Sequence, residues 1–547
     1  MPRPSLLVLL LLTVPFILLG AEGCDPVPGS VPFDPPGETG GDDDDGGVQD
    51  DDDEGGDPVE PGDEPVEPEP APEPEPEPVP TLVQGVSVSG VSLYQAVEVP
   101  ILVTLDGRAG PDPDETEIAP TPIIAGRDAL VRVFVTLQDG YVMQKVIAEV
   151  LVDDGGEPTK LTATLVPRAD STPDDLDSTF NLTLPADLLT PATSLSVQLL
   201  VDDGSPPTEP QTAGSDGAVW PAPEAVAPLG AIENGGQLTV RIVPLSYGPD
   251  GSGRLPDVSA AQVELMRSWL HRLYPATNVT VSVDASLEVD APVLANGDGW
   301  SDALYQLTDL REARNVPSDE YVYGMVAPAD SHGDYCRGGC VSGLGWRATD
   351  PTAWFTRTSL GLGYTGAPAA DTFVHEIGHN HGRMHAPCGN VSGPDPEYPH
   401  GDGRLGVWGY DSVEEALVSP TEFADMMGYC RPRWISDYTW SALSDRIAWV
   451  NASAFMMPAP GWPKRLQVMD VRASGEARLR GTVPVDRKPD GQSVKIEVLN
   501  ARGALIGTIQ GTEQRFEDTH ARAILFERPD DFAAVAVRLP GGEALDL

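Results

Sequence analysis

The chain has 547 residues, and its 85 Asp and Glu outnumber 34 Lys and Arg to give a net charge of −51. So anionic a surface excludes nucleic acid as a partner, because phosphate binding requires clustered Lys and Arg. It also excludes electrostatic docking on anionic lipid heads. No uninterrupted apolar stretch reaches the ~20 residues of a membrane span, and the length suits several domains of mixed α+β type.

Residues 1–23 hold Arg3, an apolar run from Leu6 to Leu19 broken by Pro15, and the small residues Gly20 and Ala21. A short basic head, a greasy core too short to span and a small-residue cut site make a secretory signal. Ala21-Glu22-Gly23-Cys24 resembles a bacterial lipobox, so Cys24 is the expected lipidation site and first mature residue. The expected location is therefore a bacterial cell surface or outer membrane, otherwise secreted, with membrane contact only through that lipid anchor. Residues 24–80 follow as a tether, in which positions 25–80 carry 21 acidic residues and no Lys or Arg. Like charges and repeated Glu-Pro steps keep such a segment extended, since it has almost nothing apolar to bury. Calcium binding by its Asp runs lacks a regularly spaced liganding loop.

From residue 81 to 226 short apolar runs alternate with turn signals. Leu130–Val135, Val146–Leu151 and Leu195–Leu200 are separated by Asp139-Gly140 and Asp154-Gly155-Gly156. This punctuation predicts a β-sandwich domain. Residues 227–455 change character. A strand over Gln237–Leu245 leads to a helix starting near Ser259, where Ser259 and Gln262 form a capping-box pattern and Val263, Met266, Leu270 and Leu273 share a face. A strand (Val279–Val283), a helix (Trp300–Arg314) and a strand (Tyr321–Val326) complete an α/β arrangement. Residues 456–547 return to short strands, such as Val494–Val498 and Ala533–Leu539, and predict a small C-terminal β-domain.

Four of the eight histidines lie between His375 and His385, within the pattern H-E-x-x-H-x-x-G-x-x-H. Chance would place these five fixed residues in a chain this long roughly once in 10⁵ sequences. His375 and His379 are four apart, so on a helix both imidazoles leave one face and can grip one ion. Glu376 stands beside them to take a proton from water. Gly382 can adopt positive φ, ending the helix and returning the chain so that His385 becomes the third ligand. Three neutral imidazoles leave a fourth position open, the mark of a catalytic Zn²⁺ site holding one ion. His381 fits no ligand position, and His271, His332, His400 and His520 are isolated.

The stretch resembles the zinc signature of the metzincin metallopeptidases. The resemblance covers about residues 236–450 and implies a metzincin-like catalytic domain flanked by β-sandwich-type domains. In that clan a Met-containing turn runs beneath the metal. Asp425-Met426-Met427-Gly428-Tyr429-Cys430 stands at a suitable distance, which implies Met427 as the Met-turn residue and Met426 as the fallback. In families of the clan with the same Met-x-Tyr spacing, the Tyr ligates zinc at rest and swings away to stabilise the oxyanion. Tyr429 is accordingly either a catalytic residue or a ring packed under the site. The flanking β-domains and His385-Ala386-Pro387-Cys388 are similar to the large bacterial secreted, mucin-cleaving StcE-like type, although no mucin substrate is carried over from that likeness.

Four Cys remain after Cys24, and an even count in an exported chain suggests two disulfides. Of three possible pairings, Cys388–Cys430 and Cys336–Cys340 are favoured over a second zinc on these thiols, for which the spacing is poor. Together these readings predict an exported zinc metalloendopeptidase acting on protein or glycoprotein substrates, with Glu376 as general base and then general acid. Two rivals are a surface adhesin or glycoprotein-binding protein with a vestigial peptidase fold, and a non-peptide zinc hydrolase. An intact Glu376 argues against the adhesin, because binding alone needs no proton shuttle.

Overall fold

A computed structural model describes residues 81–103, 121–202, 213–223, 225–453, 458–516, 518–530 and 534–547. The secretory leader, Cys24 and the acidic tether lie outside the described residues. The protein is mixed, with mostly strands in several sheets and five α-helices among the described residues.

The first strands form two facing antiparallel sheets. One has the order Glu98–Val103, Val86–Tyr94, Ala129–Leu137, Phe180–Leu184. The other runs Thr159–Leu165, Val146–Asp153, Ser194–Val201, Val219–Trp220, with Ala227–Pro228 also beside Ser194–Val201. Alternation decides which side chains meet between them. Val131, Val133 and Val135 of one sheet and Val146, Ala148, Val150, Val152, Leu195, Val197 and Leu199 of the other fill the buried core.

A third sheet has four parallel strands in the order Asn278–Val283, Gln237–Tyr247, Tyr321–Val326, Thr358–Leu362. A short antiparallel edge strand, Gly343–Gly345, follows, and Leu287–Val289 extends the far end. The strand YVYGMV is buried throughout, as parallel strands covered on both faces are. Its odd positions Tyr321, Tyr323 and Met325 enter one core, and Val322 and Val326 enter another. Gly324 is required between them, because a Cβ there would stand 2.4 Å from Leu307 Cδ1.

Five helices accompany this sheet: α1 (Ala260–Leu273), α2 (Trp300–Ala313), α3 (His332–Tyr335), α4 (Ala367–Asn380) and α5 (Asp437–Ser453). The α1 and α4 helices pack on one face with Met266, Leu270, Phe373 and Ile377, and α2 packs on the other with Leu304 and Leu307. Ser259 caps α1 by accepting from the Gln262 N–H at 3.4 Å. The expected return bond is absent. The Gln262 amide instead donates to Gly366 O and accepts from Gly366 N, tying the start of α1 to the start of α4. The buried Gln262 side chain thus satisfies the half-buried backbone of Gly366 rather than its own cap.

The C-terminal strands form one antiparallel sheet of seven, in the order Ala477–Val485, Lys464–Val471, Arg522–Phe526, Leu505–Arg515, Gln492–Leu499, Ala536–Arg538, Leu545–Asp546. The sheet curls so that Ala477–Val485 meets Leu545–Asp546 and encloses Met469, Val471, Ile496, Ile524 and Val537, while α2 and the loop before Thr358–Leu362 cover its other face. Leu466, Val468, Val483, Phe516, Ala523 and Leu525 share a core with Trp300, Tyr305 and Trp346. Asp302 of α2 and the fully buried Asp470 bind Arg478 and Arg480 across this contact, with Asp470 3.2 Å from Arg478 and 3.1 Å from Arg480.

Candidate metal centre

Helix α4 starts at Gly366-Ala367-Pro368, where Pro occupies the first turn without losing a needed N–H. It ends at Asn380, and Gly382 follows with φ 88°. A side chain at this position would be strained and would meet Arg446 Nη2 at 2.5 Å and Ala348 O at 2.8 Å. The turn-back expected of Gly382 is therefore present, and it brings His385 against His375 and His379. The ring centroids are 4.8 Å (His375–His379), 5.3 Å (His375–His385) and 4.8 Å (His379–His385) apart.

Each of the three imidazoles is oriented by a backbone carbonyl. His375 Nδ1 donates to Met426 O at 2.9 Å, His379 Nδ1 to Arg383 O at 2.8 Å and His385 Nδ1 to Ser392 O at 2.6 Å. A carbonyl can only accept, so each ring carries a proton on Nδ1 and turns its Nε2 inward. The Nε2 atoms of His375 and His379 are buried and make no hydrogen bond. Leaving such a group buried and unsatisfied costs about 1–3 kcal/mol, whereas three converging lone pairs suit a divalent cation. Burial holds the His375 proton affinity well below the usual imidazole range, with neighbouring His379 adding to the effect. Burial likewise lowers His379 to about 4. Both rings are thus neutral and ready to ligate. The residues fit a bound metal.

Glu376 is buried beside the triad, and its Oε2 makes no hydrogen bond. Burial first, and the nearby Asp518 carboxylate second, push its carboxyl well above the usual range. The edge strand Gly343–Gly345 crosses directly over it, and a Cβ on Gly343 would stand 2.2 Å from Glu376 Oε1. The second glycine, Gly345, passes close to Glu376 Oε2 and the His379 Cβ in the same way.

The turn at Asp425–Cys430 passes under α4. Met426 and Met427 are both buried, but they do different things. Met426 offers its carbonyl to His375, and the Met427 sulfur nests against Gly378, where a Cβ would approach it to 2.4 Å. The buried Asp425 carboxylate holds the turn by accepting from Met427 N at 2.8 Å and from Ser436 N at 3.0 Å. Cys388 is bonded to Cys430 and Cys336 to Cys340, the two expected disulfides, so among the described residues no thiol remains for a second zinc. The first of these bridges pins the segment after His385 to the turn, beside the Tyr429 N–H to Cys388 O bond of 2.8 Å.

Tyr429 stands at the site, its ring 5.0 Å from that of His385 and 6.0 Å from that of His375. Its hydroxyl donates to Asp518 Oδ1 at 2.6 Å. The residue is 40% exposed, but loss of water around the hydroxyl and then this carboxylate raise the phenol above its usual range. His381 points away from the triad. It is buried, donates from Nδ1 to Ile377 O at 2.8 Å and stacks on Tyr321 at 4.6 Å.

Sequence reasoning passed over Asp518 and treated His520 as isolated. Both belong to the turn joining Leu505–Arg515 to Arg522–Phe526. Asp518 stands 3.3 Å from His385 Nε2, 3.5 Å from His379 Nε2 and 4.0 Å from His375 Nε2. His520 Nδ1 lies 2.9 Å from Ser392 Oγ. No metal spacing in the local sequence marks this turn, and only the packing of the C-terminal sheet brings it here. A cleft of about 400 Å³ opens beside the triad, lined by Val341, Ser342, Glu376, Tyr429, Arg433 and Asp518 among others.

Residues 347–432 match the family model described as Peptidase M66, a span that contains the three histidines, Glu376 and the methionine turn. No curated protein matches the chain. Among solved structures, one described as "Structure of a chaperone-substrate complex" is similar at 13% identity and a TM-score of 0.23. That similarity covers 50% of this chain and 44% of the other, and it is too slight to bear on the fold. The family match, over the very segment that carries the histidine triad, supports a metallopeptidase, a hydrolase of protein substrates that works with a metal ion.

Proposed function

We propose that the protein is a zinc metalloendopeptidase of metzincin type, exported and held at a bacterial surface through Cys24. The observation that carries this reading is the convergence of three carbonyl-oriented imidazoles beside a buried, unpartnered Glu376. A set of three nitrogen donors with a fourth position for exchange is the catalytic zinc pattern. When bound there, zinc supplies Lewis acidity toward a peptide carbonyl and makes water a nucleophile near neutral pH.

The chain's own residues do the rest. Glu376 takes the proton of the attacking water and passes it to the leaving amine, a role suited to a carboxyl whose proton affinity is raised by burial. Gly343–Gly345 is the edge of the mixed sheet beside Glu376, and an extended substrate can add to it as a further strand. Its glycines let that strand lie against Glu376. The Tyr429 hydroxyl is placed to donate to the developing oxyanion. Met427 supports α4 from below, in the position of a Met-turn residue.

Digestion of a peptide library by the purified chain tests this. Internal cleavage is expected, abolished by a chelator and restored by zinc. Cleavage that survives chelation, or none under any metal condition, would contradict it.

A further inference from the structure

We propose that Asp518 is a fourth ligand to the metal, so that the C-terminal sheet supplies an internal inhibitor occupying the position where substrate must bind. This inference rests on the reading of the triad as a metal site, and its test separates the two.

The base of the turn is fixed. Phe516 N donates to Ala521 O at 2.9 Å, closing the turn, and the Phe516 ring is buried 4.8 Å from Trp346 and 6.3 Å from Tyr305. From that base Asp518 reaches the three Nε2 atoms, and its ligand oxygen and the three nitrogens all lie within 4.8 Å of one another. Four ligands about 2.0–2.2 Å from one zinc in a tetrahedron stand about 3.3–3.5 Å apart. Oδ1 stands 3.3 Å from His385 Nε2, within that range, and 4.0 Å from His375 Nε2, slightly beyond it, while the 3.5 Å approach to His379 Nε2 is made by Oδ2.

Among the described residues the carboxylate's partners are the Tyr429 hydroxyl and the imidazoles themselves. Its side chain is only 9% exposed, and its Oδ2 makes no hydrogen bond. A buried carboxylate without a compensating charge is unfavourable, and a cation among three neutral imidazoles supplies one. The turn is also secured on both flanks. Tyr429 donates to Asp518 Oδ1 at 2.6 Å on one side. On the other, His520 contacts the hydroxyl of Ser392, the residue whose carbonyl orients His385.

The placement opposes catalysis. An anionic oxygen on the ion excludes both water and a peptide carbonyl from the fourth position, and it lowers the net positive charge available to polarise a carbonyl. The same carboxylate engages the Tyr429 hydroxyl that the proposed mechanism needs for the oxyanion. Asp518 therefore competes for two of the groups that act on substrate and supplies none of its own. It must leave the ion before substrate binds. No bond is made or broken in this exchange beyond the coordinate one.

Cobalt(II) exchanged into the full-length chain tests the assignment, with visible absorption and metal affinity measured for wild type, Asp518→Asn and Asp518→Ala. Thermal melting confirms that the variants are folded. The expected result is an altered ligand-field spectrum in both variants and a fall in metal affinity of at least the ~10–100-fold that losing an outer-shell partner costs, together with faster peptide cleavage by Asp518→Ala than by wild type. If wild type binds cobalt and both variants give the same spectrum and affinity, Asp518 is not a ligand and the proposal falls while the metal site stands. If the spectrum changes but cleavage slows, the inhibitory role is overturned. If no form of the chain binds cobalt, the metallopeptidase reading fails and takes this proposal with it.

Discussion

Two β regions flank the same mixed sheet, and they meet it in opposite ways. The N-terminal sandwich braces its back. The Arg127 guanidinium donates to Tyr274 O at 3.0 Å, Ala276 O at 2.6 Å and His271 O at 2.5 Å, collecting the free carbonyls where α1 ends. Trp440 of α5 donates to Pro122 O and Trp434 to Ala96 O, so Ala96, Val97 and Ile124 share a core with α1 and α4. The C-terminal sheet instead packs on α2 and sends one turn into the metal centre. In sequence the two regions look alike, with alternating apolar runs and turn residues. Their difference lies in which loop ends at the histidines, and only the packed chain reveals that.

The largest effect that sharpens this contrast is expected at the centre itself. Glu376→Gln should lower kcat about 10²–10⁴-fold, the usual contribution of a general base. It should leave metal content and melting temperature unchanged, as mass analysis and calorimetry of the purified variant would show. A near-normal turnover would remove Glu376 from the mechanism.

Asp302→Ala probes the anchoring of the C-terminal sheet. Asp302 pairs with Arg478 and Arg480, and breaking a buried ion network by removing one partner costs about 3–5 kcal/mol. Denaturant unfolding should show that loss, and protease accessibility of residues 464–547 should rise while that of residues 81–202 stays as it was. Equal loosening of both regions would break the comparison.

Tyr429→Phe should lower kcat about 10²–10³-fold with little change in KM, because an oxyanion donor acts only in the transition state. Steady-state kinetics on a cleavable peptide decide it. Full kcat in a stable variant would reduce Tyr429 to a ring that packs under the site.

The smallest effect belongs to the brace. Arg127→Met removes three bonds to carbonyl oxygens but keeps the apolar stem, so a stability loss of about 1–3 kcal/mol is expected. The cobalt spectrum of the folded fraction should be identical to wild type. A changed spectrum would mean that the sandwich also tunes the metal centre.

The legibility of this site follows from chain distance. His375, Glu376 and His379 are set by helical periodicity, and Gly382 by a backbone conformation only glycine adopts easily, so their geometry is written in adjacent residues. The methionine turn was legible only through the resemblance to the metzincins, and the number of disulfides through parity. Asp425, Ser392 and Asp518 were not. Each is one acidic or hydroxyl residue in a loop or at the end of a two-residue strand, and its role depends on tertiary packing that no local period encodes. Asp518 stood out least, as one more acid in a chain carrying 85 of them. The strands of Gln237–Tyr247 and Tyr321–Val326 were visible as apolar runs. The packing of α2 on the C-terminal sheet was not, because an alternating strand does not say what covers its apolar face.

The most direct test of the central claim is native mass spectrometry of the full chain purified in zinc-containing buffer. One zinc per wild-type chain and none in His379→Ala is the predicted result, since His379 is oriented by Arg383 O toward the shared point of the triad. A wild-type chain without zinc, or a His379→Ala chain that carries as much as wild type, would contradict the account.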